Sequence, residues 1–202
     1  MDMGNARVVL LAGPSGSGKS YVAHRTGLPV LCLDDFYRDG DDPDLPRVDG
    51  AVDWESPLAW NAAAAVAAID ALCRYGKTET PIYALGEDRS VGTRTVDLDG
   101  FSLFIAEGIF AAEIVADCHA RGILAGAYAL RRPRAVTYVR RLARDLAERR
   151  KPPIVLLRRG VALLRAEPSV LARQSRLGAR PGSGRTILTE IAALRVADPF
   201  AG

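Results

Sequence analysis

A glycine-rich octapeptide near the start of the chain carries the clearest chemical signal. Residues Gly13–Ser20 read GPSGSGKS, a complete match to the pattern GxxxxGK[ST]. In that pattern glycines let backbone N–H groups turn toward phosphate oxygens, the lysine reaches the β and γ phosphates, and the final hydroxyl binds magnesium. The motif therefore predicts a site for ATP and Mg²⁺. The residues assigned to it are Gly13, Pro14, Ser15, Gly16, Ser17, Gly18, Lys19, Ser20 and Tyr21.

Acidic residues follow two of the apolar runs that we expect to be buried strands. Asp34 and Asp35 come directly after Val30–Leu33, and Glu107 follows Leu103–Ala106. Ligands of open α/β folds bind at the carboxyl edge of the sheet, where these acids would lie. Asp34 could accept the proton of an attacking hydroxyl, and Ser20, Asp34 and Glu107 could bind Mg²⁺.

Each acid also has a simpler interpretation. Neighbouring strand residues point to opposite faces, so Asp35 is not expected to share the role of Asp34. Asp34 could be a turn residue or a helix N-cap, and Glu107 could be a surface acid that caps the next helix.

Arginines on a predicted helix, Arg134–Arg150, form a second candidate cluster. Arg141, Arg144 and Arg149 could bind the transferred phosphate, because guanidinium groups donate paired hydrogen bonds and keep their charge. On a closing lid they would also exclude water and suppress hydrolysis. The alternative is a solvated helix in which Asp145 pairs with Arg149. We assign catalytic roles to Lys19, Asp34, Arg141, Arg144 and Arg149.

Short apolar runs alternate with helical segments, which predicts an α/β fold with a parallel sheet and helices on both faces. With the glycine loop after the first strand, this is the P-loop NTPase arrangement. The predicted strands are Val8–Ala12, Val30–Leu33, Leu103–Ala106 and Ala125–Leu130, and the first helices are Lys19–Arg25 and Leu58–Arg74. We expect one domain over residues 1–202, with a hairpin insertion at 78–98 and a lid region at 134–153.

The remaining segments are less regular. Asp39–Gly50 is rich in Asp, Pro and Gly and is predicted to be a loop. Thr78–Tyr83 and Thr93–Leu98 are predicted to pair as a hairpin around a turn at Gly86–Gly92. After the lid we expect a helix at Val161–Gln174 interrupted by Pro168, a loop at Gly178–Gly184, and a strand or helix at Ile187–Val196.

Composition limits the class of protein. The chain has 27 basic and 24 acidic residues, so its charge does not indicate a nucleic-acid or membrane partner. Three widely spaced cysteines fit neither a disulfide framework nor a zinc site. No secretory signal or membrane span is evident. We expect a cytoplasmic enzyme that acts on a small molecule, and a homo-oligomer remains open.

With these motifs in place, the chain resembles the uridine kinase family of P-loop kinases, particularly its shorter bacterial members. The resemblance spans roughly residues 7–151. Besides GPSGSGKS, the matching stretches are LDDFYRDG at 33–40, DWESP at 53–57, PIY at 81–83, AEGIF at 106–110 and RRLARDLAERRK at 140–151.

The resemblance implies transfer of the γ-phosphate of ATP to the 5′-hydroxyl of a nucleoside such as uridine or cytidine. Asp34 corresponds to the catalytic base near magnesium, Glu55 or Asp53 to the sugar-binding acid, and Tyr83 to a hairpin tyrosine near the nucleobase. The lid arginines match Arg141, Arg144 and Arg149. Substrate-binding residues are assigned as Asp34, Phe36, Tyr37, Asp53, Glu55, Tyr83, Arg89 and Arg141.

One departure concerns the acceptor. Uridine kinases carry a pyrimidine-recognising histidine in the hairpin, whereas this segment reads ALGEDRS, with Glu87 or Asp88 at the nearest position. The acceptor could therefore be another alcohol, such as pantothenate, a sugar or a phosphosugar. A nucleotide-binding regulator without turnover is a further alternative. Phe36 and Tyr83 could simply pack, and we expect Trp54 and Trp60 to be core residues.

Overall fold

The computed structural model describes residues 6–132 and 169–197. Its strands are β1 (Arg7–Ala12), β2 (Val30–Cys32), β3 (Arg47–Val48), β4 (Ala51–Val52), β5 (Lys77–Ala84), β6 (Arg89–Asp97), β7 (Leu103–Glu107), β8 (Leu124–Leu130) and β9 (Arg180–Gly182). Its helices are α1 (Lys19–Arg25), α2 (Ala62–Tyr75), α3 (Val115–Ala120), α4 (residues 169–176) and α5 (Gly184–Val196). Short 3-10 turns occupy Leu33–Phe36, Pro57–Ala59 and Ala111–Ile114.

Five strands form a parallel sheet in the order β2-β7-β1-β8-β9. The first strand is therefore central, with β7 on one side and β8 on the other. The chain leaves β1 toward β2 and later crosses to β8 on the opposite side. The loop after β1 therefore opens where connections diverge, which is the usual ligand position in such sheets.

Both faces of the sheet are covered by apolar contacts. Val8, Leu10 and Ala12 of β1 face a core cluster that includes residues of α2 and α3, whereas Val9 and Leu11 face a cluster that includes α1 and α5. Because β1 is buried on both faces, its sequence is a continuous apolar run rather than an alternating one. The predicted parallel sheet with helices on both faces is confirmed.

The helix predicted at Leu58–Arg74 begins later than expected. Pro57–Ala59 forms a 3-10 turn, Trp60 is extended, and α2 starts at Ala62. The Asn61 side chain accepts a hydrogen bond from the Ala64 N–H at 3.0 Å, which makes Asn61 the N-cap. At the other end Gly76 has a φ of 73° and stops the helix as predicted.

Two segments predicted to be loops contain strands. Arg47–Val48 pairs with Ala51–Val52 inside the acidic loop and just beyond it. Arg180–Gly182, within the predicted loop Gly178–Gly184, pairs in parallel with β8 at the sheet edge. Local composition favours loops in both places. Each segment is nevertheless a strand because a partner strand, β4 for β3 and β8 for β9, pairs with its backbone groups. Pro181 is tolerated because β9 is an edge strand.

Helix α5 covers Gly184–Val196, which resolves the choice between strand and helix at Ile187–Val196. Ser183 caps this helix, since its side chain accepts a hydrogen bond from the Thr186 N–H at 3.2 Å. Of the predicted helix Val161–Gln174, residues 169–174 are helical within α4. Pro168 and the predicted lid helix Arg134–Arg150 lie outside the described residues.

The inserted hairpin is present, with longer strands and a tighter turn than predicted. Pairing continues through Tyr83 opposite Ser90 and Ala84 opposite Arg89, so the turn covers only the residues between Ala84 and Arg89. The hairpin forms its own two-stranded sheet.

Within residues 6–132 and 169–197, no helix is long and apolar enough to cross a membrane.

Candidate active site

The loop after β1 has the conformation that a phosphate cradle needs. Gly16 and Gly18 have φ values of 82° and 87°, which L-residues rarely adopt. Helix α1 follows at Lys19, with Gly18 at its N-cap position. The predicted boundaries of this helix, Lys19–Arg25, are confirmed.

Polar groups in the loop are buried without strong protein partners. Lys19 is only 7% exposed, and its Nζ lies 3.5 Å from the Pro14 carbonyl oxygen, a long contact. The Ser17 hydroxyl oxygen is buried and has no hydrogen-bond partner within residues 6–132 and 169–197. Buried donors are normally satisfied, so this arrangement suits an anion such as a nucleotide phosphate. Tyr21 lies beyond the cradle on α1, 57% exposed, with Arg25 near its ring and hydroxyl.

Glu107 at the end of β7 meets the end of the phosphate loop. The Ser20 hydroxyl donates a hydrogen bond to Glu107 Oε1 at 2.7 Å, joining residues predicted separately as magnesium ligands. Burial raises the pKa of the Glu107 carboxyl, while Lys19 and the Ser20 hydrogen bond oppose that rise. The structure therefore places a buried carboxylate beside a buried cation, and Glu107 is not a surface acid.

Asp34 lies on the neighbouring strand end, close to the segment that follows Glu107. Its Oδ1 accepts a hydrogen bond from the Ile109 N–H at 3.3 Å. A Cβ on Gly108 would lie 3.0 Å from this oxygen and 2.8 Å from Leu33 Cβ, so a larger residue would force one of the two segments to shift. Cys32 and Glu107 are paired in the sheet register, which explains why the residues after them meet.

Asp34 and Asp35 do diverge, but not for the predicted reason. Strand β2 ends at Cys32, and both acids belong to the 3-10 turn Leu33–Phe36, so strand alternation does not apply to them. Asp35 points to the hairpin instead. Its Oδ1 accepts from the Tyr83 N–H at 3.2 Å, and its Oδ2 pairs with Arg94 at 2.5 Å.

The hairpin tip has a second anchor on the same segment. Asp39 Oδ1 accepts from the Ser90 N–H at 2.7 Å, and the Gly40 N–H donates to the Asp88 carbonyl at 2.6 Å. Sequence reasoning missed this anchoring, including the Asp35–Arg94 pair. The sequence signal for this anchoring was the adjacent pair Asp34 and Asp35 after β2, because two carboxylates side by side need different partners.

Aromatic side chains fill the space between this segment and the hairpin. Tyr37 has its ring centroid 5.8 Å from Trp54, 5.8 Å from Tyr83 and 5.9 Å from Phe110. The Tyr83 hydroxyl donates to the Arg38 carbonyl at 3.1 Å, and burial raises the pKa of Tyr83. Tyr83 is only 8% exposed, so its ring packs within this aromatic group and its hydroxyl hydrogen is used inside the protein.

The remaining assigned residues and the two tryptophans expected in the core lie in different environments. Phe36 and Trp60 are buried in the core, whereas Trp54 is half-buried. Asp53 Oδ1 accepts from the N–H of exposed Glu55 at 3.1 Å, which stabilises a local turn. Arg89 pairs with Glu87 at 2.7 Å on the hairpin. Arg141, Arg144 and Arg149 lie outside the described residues.

The donors present fit ATP and Mg²⁺. Lys19, Ser17 and the loop N–H groups could bind phosphates, and Ser20 with Glu107 offers hard oxygen ligands. No cluster of three or more His, Cys, Asp or Glu side chains forms a metal site in the described ranges. Mg²⁺ takes few protein ligands and keeps phosphates and water.

Comparison with solved structures shows the same architecture. A protein of Silicibacter sp. TM1040 described as a candidate fructose transport system kinase is 20% identical, covers 89% of this chain and 88% of its own, and has a TM-score of 0.59. The chain has the P-loop NTPase fold. This is the fold class that the octapeptide and the strand pattern predict, and the one that the resemblance to uridine kinases implies.

Other similar structures fit less closely. A protein of Bacillus stearothermophilus described as a possible uridine kinase is 19% identical over 67% of this chain and 76% of its own, with a TM-score of 0.46. The YGR205w protein is 16% identical over 82% of this chain and 77% of its own, with a TM-score of 0.48. No protein-family model matches the sequence, and no curated protein matches it significantly.

Proposed function

We propose that this P-loop protein is a kinase that transfers the γ-phosphate of ATP to a hydroxyl group of a small molecule. The observation that carries the proposal is the meeting of three groups at one sheet edge. Ser20 ends the phosphate loop, Glu107 contacts it at 2.7 Å, and Asp34 is held by the residue two positions after Glu107. A nucleotide switch needs no base for a foreign hydroxyl, so Asp34 favours transfer.

The chain's own groups divide the chemistry as follows. Loop N–H groups and Lys19 bind the phosphates. Ser20, Asp34 and Glu107 would hold Mg²⁺, which would neutralise phosphate charge when bound. The Asp34 carboxylate accepts the proton as the acceptor oxygen bonds to the γ-phosphorus and the bond to the β-phosphate oxygen breaks, releasing ADP. Arg141, Arg144 and Arg149 are proposed to neutralise the phosphate in transfer.

For the acceptor, we propose the 5′-hydroxyl of a nucleoside, in line with the resemblance to uridine kinases. The ring of half-buried Tyr37 could contact a nucleobase, and Tyr83, whose ring centroid lies 5.8 Å from it, is the second aromatic assigned to that role. Asp53 or Glu55 could accept hydrogen bonds from ribose hydroxyls, and Phe36 would support the site from the core. Arg89 would have to exchange its Glu87 partner for substrate.

A sugar is the second candidate acceptor. The hairpin segment carries Glu87 and Asp88 where a uridine kinase has its histidine, and carboxylates accept hydrogen bonds from hydroxyl groups. The Silicibacter protein described as a fructose transport system kinase points the same way. Pantothenate and phosphosugars remain in the acceptor panel as further alcohols.

The test is an ADP-release assay with Mg²⁺ over uridine, cytidine, fructose, a phosphosugar and pantothenate. We expect acceptor-dependent turnover that is lost in Lys19→Met and falls at least about 100-fold in Asp34→Asn, the lower end of the usual contribution of a general base. Turnover with no acceptor dependence would contradict the kinase proposal. Full activity of Asp34→Asn would instead refute only the base assignment.

A further inference from the structure

Gln174 is a buried polar residue in an apolar contact between α4 and the core. It is 3% exposed, and neighbouring Leu171 and Leu177 pack against the larger hydrophobic cluster. Its Nε2 donates to the Ile109 carbonyl at 3.1 Å, while its Oε1 is buried and has no hydrogen-bond partner among the described residues. Leaving a buried acceptor unsatisfied is destabilising. An apolar side chain would avoid that cost but would also remove the donor to the Ile109 carbonyl, so the hydrogen bond to Ile109 is what a glutamine supplies here.

The residue that Gln174 holds is also the residue that holds Asp34. The Ile109 carbonyl receives the Gln174 hydrogen bond, and the Ile109 N–H donates to Asp34 Oδ1 at 3.3 Å. On the N-terminal side, Gly108 is fixed by its N–H bond to the Leu11 carbonyl at 3.2 Å. Gln174 therefore restrains the main chain that contacts the proposed base.

We infer that Gln174 is a positioning residue for Asp34, acting through the main chain of Ile109. It contacts no reacting atom in this arrangement. Its donor keeps the Ile109 N–H aimed at the carboxylate, so that Asp34 stays oriented toward the acceptor hydroxyl. The inference rests on the proposed kinase function, in which Asp34 is the base.

The decisive variant is Gln174→Met, which removes the donor and keeps a side chain of similar size. Misplacing a catalytic group by about 1 Å can cost about 100-fold in rate, so we expect kcat to fall about 10- to 100-fold. The KM for ATP should change less than about twofold, since the phosphate loop is untouched. The matched control is Arg173→Met on the same helix, which removes the Arg173–Glu113 ion pair at 2.9 Å and should leave kcat within about twofold.

A double-mutant cycle separates positioning from general destabilisation. In the Asp34→Asn background, Gln174→Met should lower the residual transfer by less than about twofold, because the group it positions is already lost. An equal loss in both backgrounds would overturn the inference. So would a fall in kcat matched by Arg173→Met.

Amide hydrogen exchange gives a readout independent of activity. Gln174→Met should reduce protection of the Ile109 N–H by at least about tenfold, whereas Arg173→Met should not. Unchanged Ile109 protection in Gln174→Met would overturn the inference even if transfer fell. If the wild-type chain transfers phosphate to no acceptor, the kinase proposal fails, and the exchange result still decides whether Gln174 restrains Ile109.

Discussion

Replacing Gly108 by alanine tests whether the close approach of two strand ends sets the rate of transfer. The added Cβ would lie 2.8 Å from Leu33 Cβ, whereas ordinary van der Waals contact begins at 3.4 Å. The shortfall, 3.4 minus 2.8, is 0.6 Å. The side chains that the Cβ would meet, Leu33 and Asp34, both belong to the turn Leu33–Phe36. Relief of the clash must therefore move that turn, the Gly108 segment, or both.

The expected consequence is a large loss of activity with a modest loss of stability. Overpacking of this kind typically costs about 1–3 kcal/mol. A displacement of the base by over half an ångström should lower kcat about 10- to 100-fold, because transfer requires the acceptor oxygen to be aimed in line. The KM for ATP should stay within about threefold, because Lys19 and Ser20 belong to α1 and not to the Gly108 segment.

Gly126→Ala is the matched control. Its Cβ would lie 3.1 Å from the Tyr128 ring, so it overpacks β8 on the sheet face covered by α5. ADP-release kinetics and thermal melts of both variants separate the two effects. If Gly108→Ala kept wild-type kcat, or if Gly126→Ala lost as much kcat at equal Tm, the assignment of Asp34 to the reacting centre would be refuted.

Three further predictions concern charge and burial. Burial raises the pKa of Glu107 above its ordinary 4.5, so ionisation costs folded-state stability as pH rises through and above that value. The Tm of Glu107→Gln should therefore rise relative to that of the wild type as pH rises, while phosphate transfer and its dependence on Mg²⁺ are lost. A Tm difference that moves the other way with pH would contradict this. Asp35→Ala removes the contacts of Asp35 with Tyr83 and Arg94 and should raise the KM for the acceptor about tenfold, with the KM for ATP unchanged. The control Arg74→Ala, which removes an exposed ion pair, should change neither KM. If the two variants had the same acceptor KM, anchoring of the hairpin by Asp35 would be refuted. Burial raises the pKa values of the three cysteines from 9.0 to about 12. Iodoacetamide at pH 8 should therefore alkylate the folded protein about 1,000-fold more slowly than the unfolded chain, as measured by mass spectrometry. Rapid labelling of the folded protein would contradict that environment.

Features that depend on neighbouring residues were predictable from the sequence. The glycine turns after β1 and the bounds of α1 were placed correctly because they depend on local conformational preferences. The meeting of Ser20 and Glu107 followed from one general rule, that parallel strands end at the same sheet edge. The start of α2 was missed because Asn61, rather than Pro57, supplies the cap.

Features that depend on distant partners were not predictable. Arg180–Gly182 became a strand only because β8 presents a free edge, and the acids after β2 separated because the hairpin offers Arg94 to Asp35. Nothing in the local pattern of glycine, proline and aspartate encodes either partner.

The sequence by itself determined the phosphate-binding loop, the parallel sheet and the edge at which the acids gather. Tertiary structure decided which groups orient them: Asp34 is held by Ile109, 75 residues away, and Ile109 by Gln174, 65 residues further on. Local conformational preference reaches only a few residues along the chain. Hydrogen bonds between segments this far apart exist because packing of the core brings their main chains together.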